Sequence, residues 1–343
     1  MAATAGRVLD RCRALVGPAL RDRVARLHDW PAGMAGYAFG WNDAEGRPES
    51  GRAAGGKGLR QALAVLCAEA AGAPGAVAVD AAVAVELAHT FSLLHDDIMD
   101  GDETRRGRPS LWAAYGTGPA VLAGDALLAL AFEVLADAPH GGAAVRRLAR
   151  DLRELVAGQS DDLLFEGRPW TGPEAVDPAA YTAMAERKTG ALLGCAAALG
   201  ALLAGAPAAT VEALSAAGRD LGTAFQIQDD VLGLWGDPEV TGKPVGADLR
   251  RGKKTLPVLA ALAGPAPAAD RLAALLTADG APDGDRLRRA LELVEAAGGR
   301  DAALAEADHR LGRARRRLGS VPLRPEPAAE LLALLPFAVG RSG

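Results

Sequence analysis

The chain has 343 residues, half of them apolar, a formal net charge of −5 and three cysteines. That composition supports a large core and excludes a basic face for nucleic acid or an anionic membrane. Cys12, Cys67 and Cys195 show neither metal-ligand spacing nor a disulfide framework, and no apolar run follows Met1, so a cytoplasmic protein without a signal peptide is expected.

Long Ala/Leu/Val-rich segments alternate with short Gly/Pro breaks at Gly72–Gly75, Asp137–Gly142, Gly167–Asp177 and Gly264–Pro267. Aromatic residues make up 4% of the chain and no period-2 run is bounded by turn residues, so strands are not expected. First in chain order comes a Gly-rich turn, Gly55–Arg60, carrying Lys57 and Arg60. It lacks the spacing and the Lys-Ser/Thr ending of a Walker-type phosphate loop. Val77–His95 is apolar nearly all round, as a central enclosed helix is, and it ends in Asp96-Asp97-Ile98-Met99-Asp100. Val145–Val156 and Leu287–Leu293 show amphipathic helical periodicity. Between them, Thr189–Val211 runs 23 residues without a charge. It is mostly Ala and Gly, contains Pro207 and lacks flanking Trp or Tyr anchors, so it reads as a buried helix and no membrane span is expected. Arg310–Arg317 reads as a solvated helix face. No repeat and no long linker divides the chain, which predicts one all-α domain over 1–343.

The chemistry sits in two acidic clusters. Residues four apart share a helix face, so Asp96 and Asp100 project together. His89 lies about 20° from each in projection, on the same stripe. Bunched carboxylates beside an apolar helix repel one another and resist desolvation; a hard divalent cation relieves both. Mg²⁺ takes one or two carboxylates and completes its shell with phosphate oxygens. The second cluster, Gln226-Ile227-Gln228-Asp229-Asp230, lies more than a hundred residues later, with Asp237 two turns on if the helix continues through Gly233. Cationic loops follow both: Arg105-Arg106-Gly107-Arg108-Pro109 and Gly252-Lys253-Lys254-Thr255. Carboxylate-held metal on one side and Arg/Lys on the other is what a polyphosphate leaving group needs. Only five of the 38 basic residues are lysines, and Lys57, Lys188, Lys243, Lys253 and Lys254 all fall in these motifs.

In this order the motifs resemble the trans-isoprenyl diphosphate synthases, or polyprenyl synthetases. The series runs Gly-Gly-Lys-x-x-Arg at 55–60, Glu86-Leu87-x-His89 through Asp100, Arg105-Arg106-Gly107-x-Pro109 and Gly124-Asp125. It continues with Gly158-Gln159-x-x-Asp162-Leu163, Lys188-Thr189-Gly190, Phe225 to Asp230, and Gly242-Lys243 through Asp248 to Pro257. The resemblance implies an isoprenoid-synthase-type antiparallel helical barrel around a central cavity, usually a homodimer. It implies three Mg²⁺ ions ligated by Asp96, Asp100 and Asp229, with Asp97 and Asp230 one remove away or orienting, and Gln159 and Asp162 positioning metal or water. Arg105, Lys188, Lys243 and Lys253 would contact an allylic diphosphate, with Thr189 beside them. Lys57, Arg60, His89, Arg106 and Gln226 would hold isopentenyl diphosphate.

The implied reaction is head-to-tail condensation of isopentenyl diphosphate with an allylic prenyl diphosphate. Phe91 and Ser92, five and four residues before Asp96, resemble the synthases that stop at C20. Geranylgeranyl diphosphate is therefore expected, with farnesyl diphosphate the alternative. Gly58, Gln61 and Gly233 depart from the commonest pattern, Gly233 standing where a third Asp is frequent. A terpene cyclase would need a second metal motif built on Asn, Ser and Glu. The sole asparagine, Asn42, has Gly46 where the serine would be. A non-catalytic partner subunit would have lost the first Asp cluster, and this chain keeps it.

Overall fold

The Gly and Pro breaks become helix ends in the computed structural model, which describes residues 2–49, 58–237, 244–264, 267–278, 280 and 282–339. Among these, α1 (Ala2–Val24), α2 (Asp29–Ala38) and α3 (Leu59–Ala70) precede a 3-10 turn, Gly75–Ala78, and α4 (Val79–Met99). A small ribbon, β1 (Thr104–Arg105) paired antiparallel with β2 (Arg108–Pro109), leads into α5 (Leu111–Tyr115) and α6 (Thr117–Ala136). Next come α7 (Gly141–Glu166), α8 (Pro178–Ala185), a π-helical turn (Glu186–Gly190), α9 (Ala191–Leu203) and α10 (Ala208–Trp235). The described chain closes with α11 (Ala247–Arg250), α12 (Leu256–Leu262), α13 (Ala268–Leu276), α14 (Gly284–Ala296), α15 (Gly299–Leu318) and α16 (Pro325–Val339). Local chemistry sets several starts. Pro178 opens α8, and the Asp177 side chain caps it by accepting from the Ala180 N–H at 2.7 Å.

The chain folds into two compact units. One comprises Met1–Arg150, Cys195–Ser215 and Leu318–Leu334. Its centre is α4, buried continuously from Ala81 to Ala88 and packed against α3 and α6. The ring of His95 on α4 fills the space beside Gly124 on α6, where a Cβ would overlap it. By length and composition Gly75–Met99 and Thr117–Ala136 are apolar enough to cross a membrane, and here they pack on each other. Cys12, Cys67 and Cys195 are buried and form no disulfide. Burial pushes the Cys12 thiol up to about 11 and the Cys67 thiol higher still.

The other unit comprises Asp151–Gly194, Ala216–Arg317 and Leu335–Gly343. Its core joins Leu234, Leu249, Val258, Leu272, Leu287 and Leu293, with Trp170 and Trp235 against it. Besides the short β1–β2 ribbon, which forms where no strand was expected because Arg106 and Gly107 close a tight left-handed turn, two expectations change. Residues 189–211 form no single helix, because α9 ends after 13 residues and α10 starts at Ala208. The stretch Arg310–Arg317 is not simply solvated either. Arg310, Arg313 and Arg317 converge on Asp220, which is 3% exposed, while Arg315 and Arg316 face solvent. A carboxylate that buried needs charged donors, and three turns of α15 deliver them.

Candidate active site

The first acidic cluster closes α4. Asp100 is the C-cap, its N–H bonded to the Asp96 carbonyl at 2.8 Å, and Gly101 at φ +65° turns the chain away. Asp96, Asp100 and His89 are partly buried along one stripe, as helix geometry predicts. Asp97 points elsewhere. It is 1% exposed, and Arg105 grips it through Nε, 2.8 Å from both oxygens, and Nη2 at 2.5 Å from one. Burial pushes the Asp97 carboxyl up, and the guanidinium pulls it back. The β1–β2 ribbon makes this grip possible. Its two-residue turn holds Arg106 at φ +54° and Gly107 at φ +76°, the left-handed pair that a tight hairpin demands. Arg105 is thereby folded back toward α4 and Arg106 is left exposed at the tip.

Beside this grip, Arg60 Nη1 lies 3.0 Å from His89 Nε2. A guanidinium only donates, so Nε2 accepts and the imidazole is neutral. Burial, then the charges of Arg60, Arg106 and Arg105, hold His89 well below its ordinary value. Glu86, one turn earlier, is buried and raised by that burial, with Arg60 countering. A cavity is lined by Glu86, His89, Asp97, Arg105, Arg106 and Arg108. Phe91 lies outside that lining, its ring edge-on to His95 at 4.7 Å between centroids; Ser92 Oγ donates to the His89 carbonyl.

In the second unit, α10 runs unbroken through Gly233 to Trp235, and Asp237 falls beyond its end, exposed. The space over Gly233 is taken instead by Asp248, whose carboxylate a Cβ at 233 would overlap. Asp229 is partly buried. Asp230 is fully committed within the protein: one oxygen accepts from Tyr181 OH and from the Leu256 N–H at 3.1 Å, the other from Gln226 Nε2 at 3.1 Å. Burial pushes the Asp230 carboxyl up to about 7, against these three donors. Thr189 Oγ1 donates to Gln226 Oε1 at 2.7 Å.

The π-helical turn aims the next two residues. It widens the helix at Glu186–Gly190 so that Lys188 Nζ reaches Asp162 at 2.5 Å while Thr189 turns to Gln226. Gly158 on α7 admits the backbone at Arg187 and Lys188, where any Cβ would collide. Next to it the Gln159 amide is buried, and neither polar atom has a partner among the described residues. Lys253 lies 3.9 Å from Glu166. Lys57 and Lys243 lie outside the described residues.

Among the described residues no three His, Cys, Asp or Glu side chains group tightly enough to hold a metal by themselves. The donor set still suits magnesium, which takes few carboxylates and keeps waters and phosphate oxygens. Asp96 and Asp100 offer hard oxygens one turn apart; in the other unit, taken by itself, the buried Gln159 amide has hydrogen bonds to give to a water or phosphate.

The sequence profile of the polyprenyl synthetase family matches residues 49–294. The chain belongs to the polyprenyl synthetase family. It is 46% identical over 339 residues to the (2E,6E)-farnesyl diphosphate synthase of Mycobacterium tuberculosis, covering 97% of this chain and 92% of that one. It is 47% identical over 307 residues to a geranylgeranyl diphosphate synthase of the same organism, covering 89% and 86%. The crystal structure of a polyprenyl synthetase from Streptomyces coelicolor superposes with a TM-score of 0.89 at 44% identity, over 97% and 98% of the two chains. The chain is thus a prenyl diphosphate synthase, a prenyltransferase of a magnesium-dependent family, with the all-α isoprenoid synthase fold.

Sequence reasoning gave no role to three residues that lie beside these clusters, naming Glu86 and Asp248 only within the motif series and Tyr181 not at all. Glu86 reads as part of an apolar helix, and Tyr181 lies 49 residues from the carboxylate it serves. Asp248 did leave a trace: a glycine at position 233 is room for another side chain.

Proposed function

We propose that this synthase condenses isopentenyl diphosphate with allylic diphosphates in the 1′-4 sense and releases geranylgeranyl diphosphate. The observation that carries the reading is a division of labour repeated in both clusters. In each, one aspartate is buried and saturated by protein donors, while Asp96 and Asp100 in the first and Asp229 in the second stay partly exposed.

Asp96, Asp100 and Asp229 would hold three magnesium ions together with the allylic diphosphate oxygens. Bound magnesium neutralises the charge that gathers on the departing diphosphate. Arg105, Lys188, Lys243 and Lys253 add hydrogen-bonding cations to the same group, and Asp97 and Asp162 keep two of them aimed. Arg60, Arg106, Lys57, His89 and Gln226 orient isopentenyl diphosphate. The C1–oxygen bond breaks, and the isopentenyl double bond adds to the allylic cation. A C2 proton then leaves to the departing diphosphate. Positioning and charge stabilisation suffice, with no nucleophilic side chain.

The C20 product is supported by Phe91 and Ser92 ahead of Asp96. Farnesyl diphosphate is favoured by the mycobacterial relative that matches over nearly the whole chain. A homodimer is supported by Val121 and Leu122, apolar and exposed on α6, and a cytoplasmic setting by three buried cysteines that form no disulfide. Incubation with labelled isopentenyl diphosphate and C5, C10 or C15 primers, with magnesium, tests the reaction and the product together. C20 is expected from every accepted primer, and Phe91→Ala should extend it. Asp96→Ala and Asp229→Ala should each lower turnover by orders of magnitude with the helical circular dichroism intact. Near-normal turnover in both would sink the mechanism, and a wild-type stop at C15 would sink the product.

A further inference from the structure

Of the five lysines, Lys254 alone has no part in the reading above. It is 6% exposed. An ammonium group remains charged in such a place only when its donors are all taken. Its Nζ donates to the carbonyl oxygens of Glu166 at 3.2 Å and Gly252 at 3.1 Å, and lies 4.0 Å from the centre of the Trp170 ring. Three N–H groups thus meet two carbonyls and one aromatic face. Burial lowers the Lys254 ammonium from its ordinary value, and the Glu166 carboxylate offsets part of that.

The two carbonyls belong to different elements. Glu166 is the last residue of α7, where carbonyls lack helical partners and the helix dipole favours a cation. Gly252 belongs to the turn that presents Lys253. α7 already bears Asp162, which holds Lys188, and the Glu166 carboxylate near Lys253. Its final turn is therefore a common bench for two cations read as diphosphate ligands.

We propose that Lys254 is a positioning residue that ties the 251–254 turn to the C-terminus of α7 and so fixes Lys253 for the allylic diphosphate. This rests on the reading of Lys253 as a ligand of that diphosphate. The geometry also accounts for lysine in an arginine-rich chain. A point ammonium converges on two carbonyls and a ring, whereas a planar guanidinium spreads its donors in one plane.

The test compares Lys253→Ala, Lys254→Met, their double variant and Trp170→Leu in the full-length enzyme with magnesium. Two quantities are read: KM for each substrate, and amide hydrogen exchange across 251–255. Lys254→Met should raise the allylic KM about tenfold and leave the isopentenyl KM within about twofold, the loss expected for one misplaced charge-assisted contact. Exchange across 251–255 should accelerate. The double variant should be no worse than Lys253→Ala, because Lys254 acts through Lys253. Trp170→Leu should move both quantities the same way by less, and it carries the test if Lys254→Met does not fold. Unchanged exchange, equal rises in both KM values, or a double variant whose loss is the product of the singles would overturn the proposal. A Lys253→Ala enzyme with normal allylic KM would overturn the reading of Lys253 and the purpose of the tie. The exchange result separates that failure from a tie that never formed.

Discussion

At the end of α4, Asp97 is buried against a guanidinium; on α10, Asp230 is buried against a hydroxyl, an amide and a backbone N–H. The first arrangement pairs full charges, so the guanidinium offsets part of the burial that still holds the carboxyl above its ordinary value, and that partner, Arg105, itself binds substrate in the proposed reaction. The second offers only neutral donors, and the carboxyl rises to about 7. One inner aspartate therefore aims a functional cation, while the other knits α8 and the start of α12 onto α10. A repeated Asp-Asp pair in sequence thus serves two different structural ends.

Breaking each half should expose that difference, most strongly at Asp97. Removing one partner of a buried pair costs roughly 3–5 kcal/mol. Asp97→Ala is expected near the lower end, because Arg105 still reaches solvent, and chemical denaturation will show it. A value below about 1 kcal/mol would mean the pair contributes nothing beyond its hydrogen bonds. Asparagine at each site sharpens the contrast. Asp97→Asn should cost about 1–2 kcal/mol more than Asp230→Asn, since bonds to charged groups exceed neutral ones by about that much. Tyr181→Phe removes one neutral donor and should cost about 1 kcal/mol, with turnover reduced less than by Asp229→Ala.

The smallest and most diagnostic effect is in pH. His89 has a depressed folded value, so its contribution is present above its ordinary value of about 6.5 and is lost as pH falls through the folded value. Asp230 is raised, so its contribution is full below about 4 and is lost as pH rises through about 7. Melting temperatures between pH 5 and 8 should lose the acid-side decline in His89→Gln and the neutral-side decline in Asp230→Asn. Parallel curves for wild type and both variants would refute the opposite signs.

What could be read in advance followed from local geometry. The stripe joining His89, Asp96 and Asp100 is a property of any helix, and the buried helices follow from Ala/Leu/Val runs between Gly and Pro. The Arg105–Asp97 grip was hidden because it needs a four-residue ribbon in an otherwise helical chain, formed by left-handed Arg106 and Gly107. Tyr181, Leu256 and Asp248 reach the second cluster only through tertiary packing. The arginines of α15 misled because their pattern is that of a surface; the information lay in Asp220, ninety residues earlier, which has no local partner for its charge.

The buried thiols of Cys12, Cys67 and Cys195 make the protein its own stopwatch. Each lies in the unit built on α4 and is shut away with no disulfide, on α1, α3 and α9 respectively. A thiol reagent can react only when that neighbourhood opens, so labelling rates in native buffer measure the opening free energy at three points without any engineered probe. The unit that carries Asp229 and Asp230 has no cysteine, so it stays silent in that measurement. Substrate added to the labelling reaction would then report how far diphosphate binding steadies the α4 unit alone.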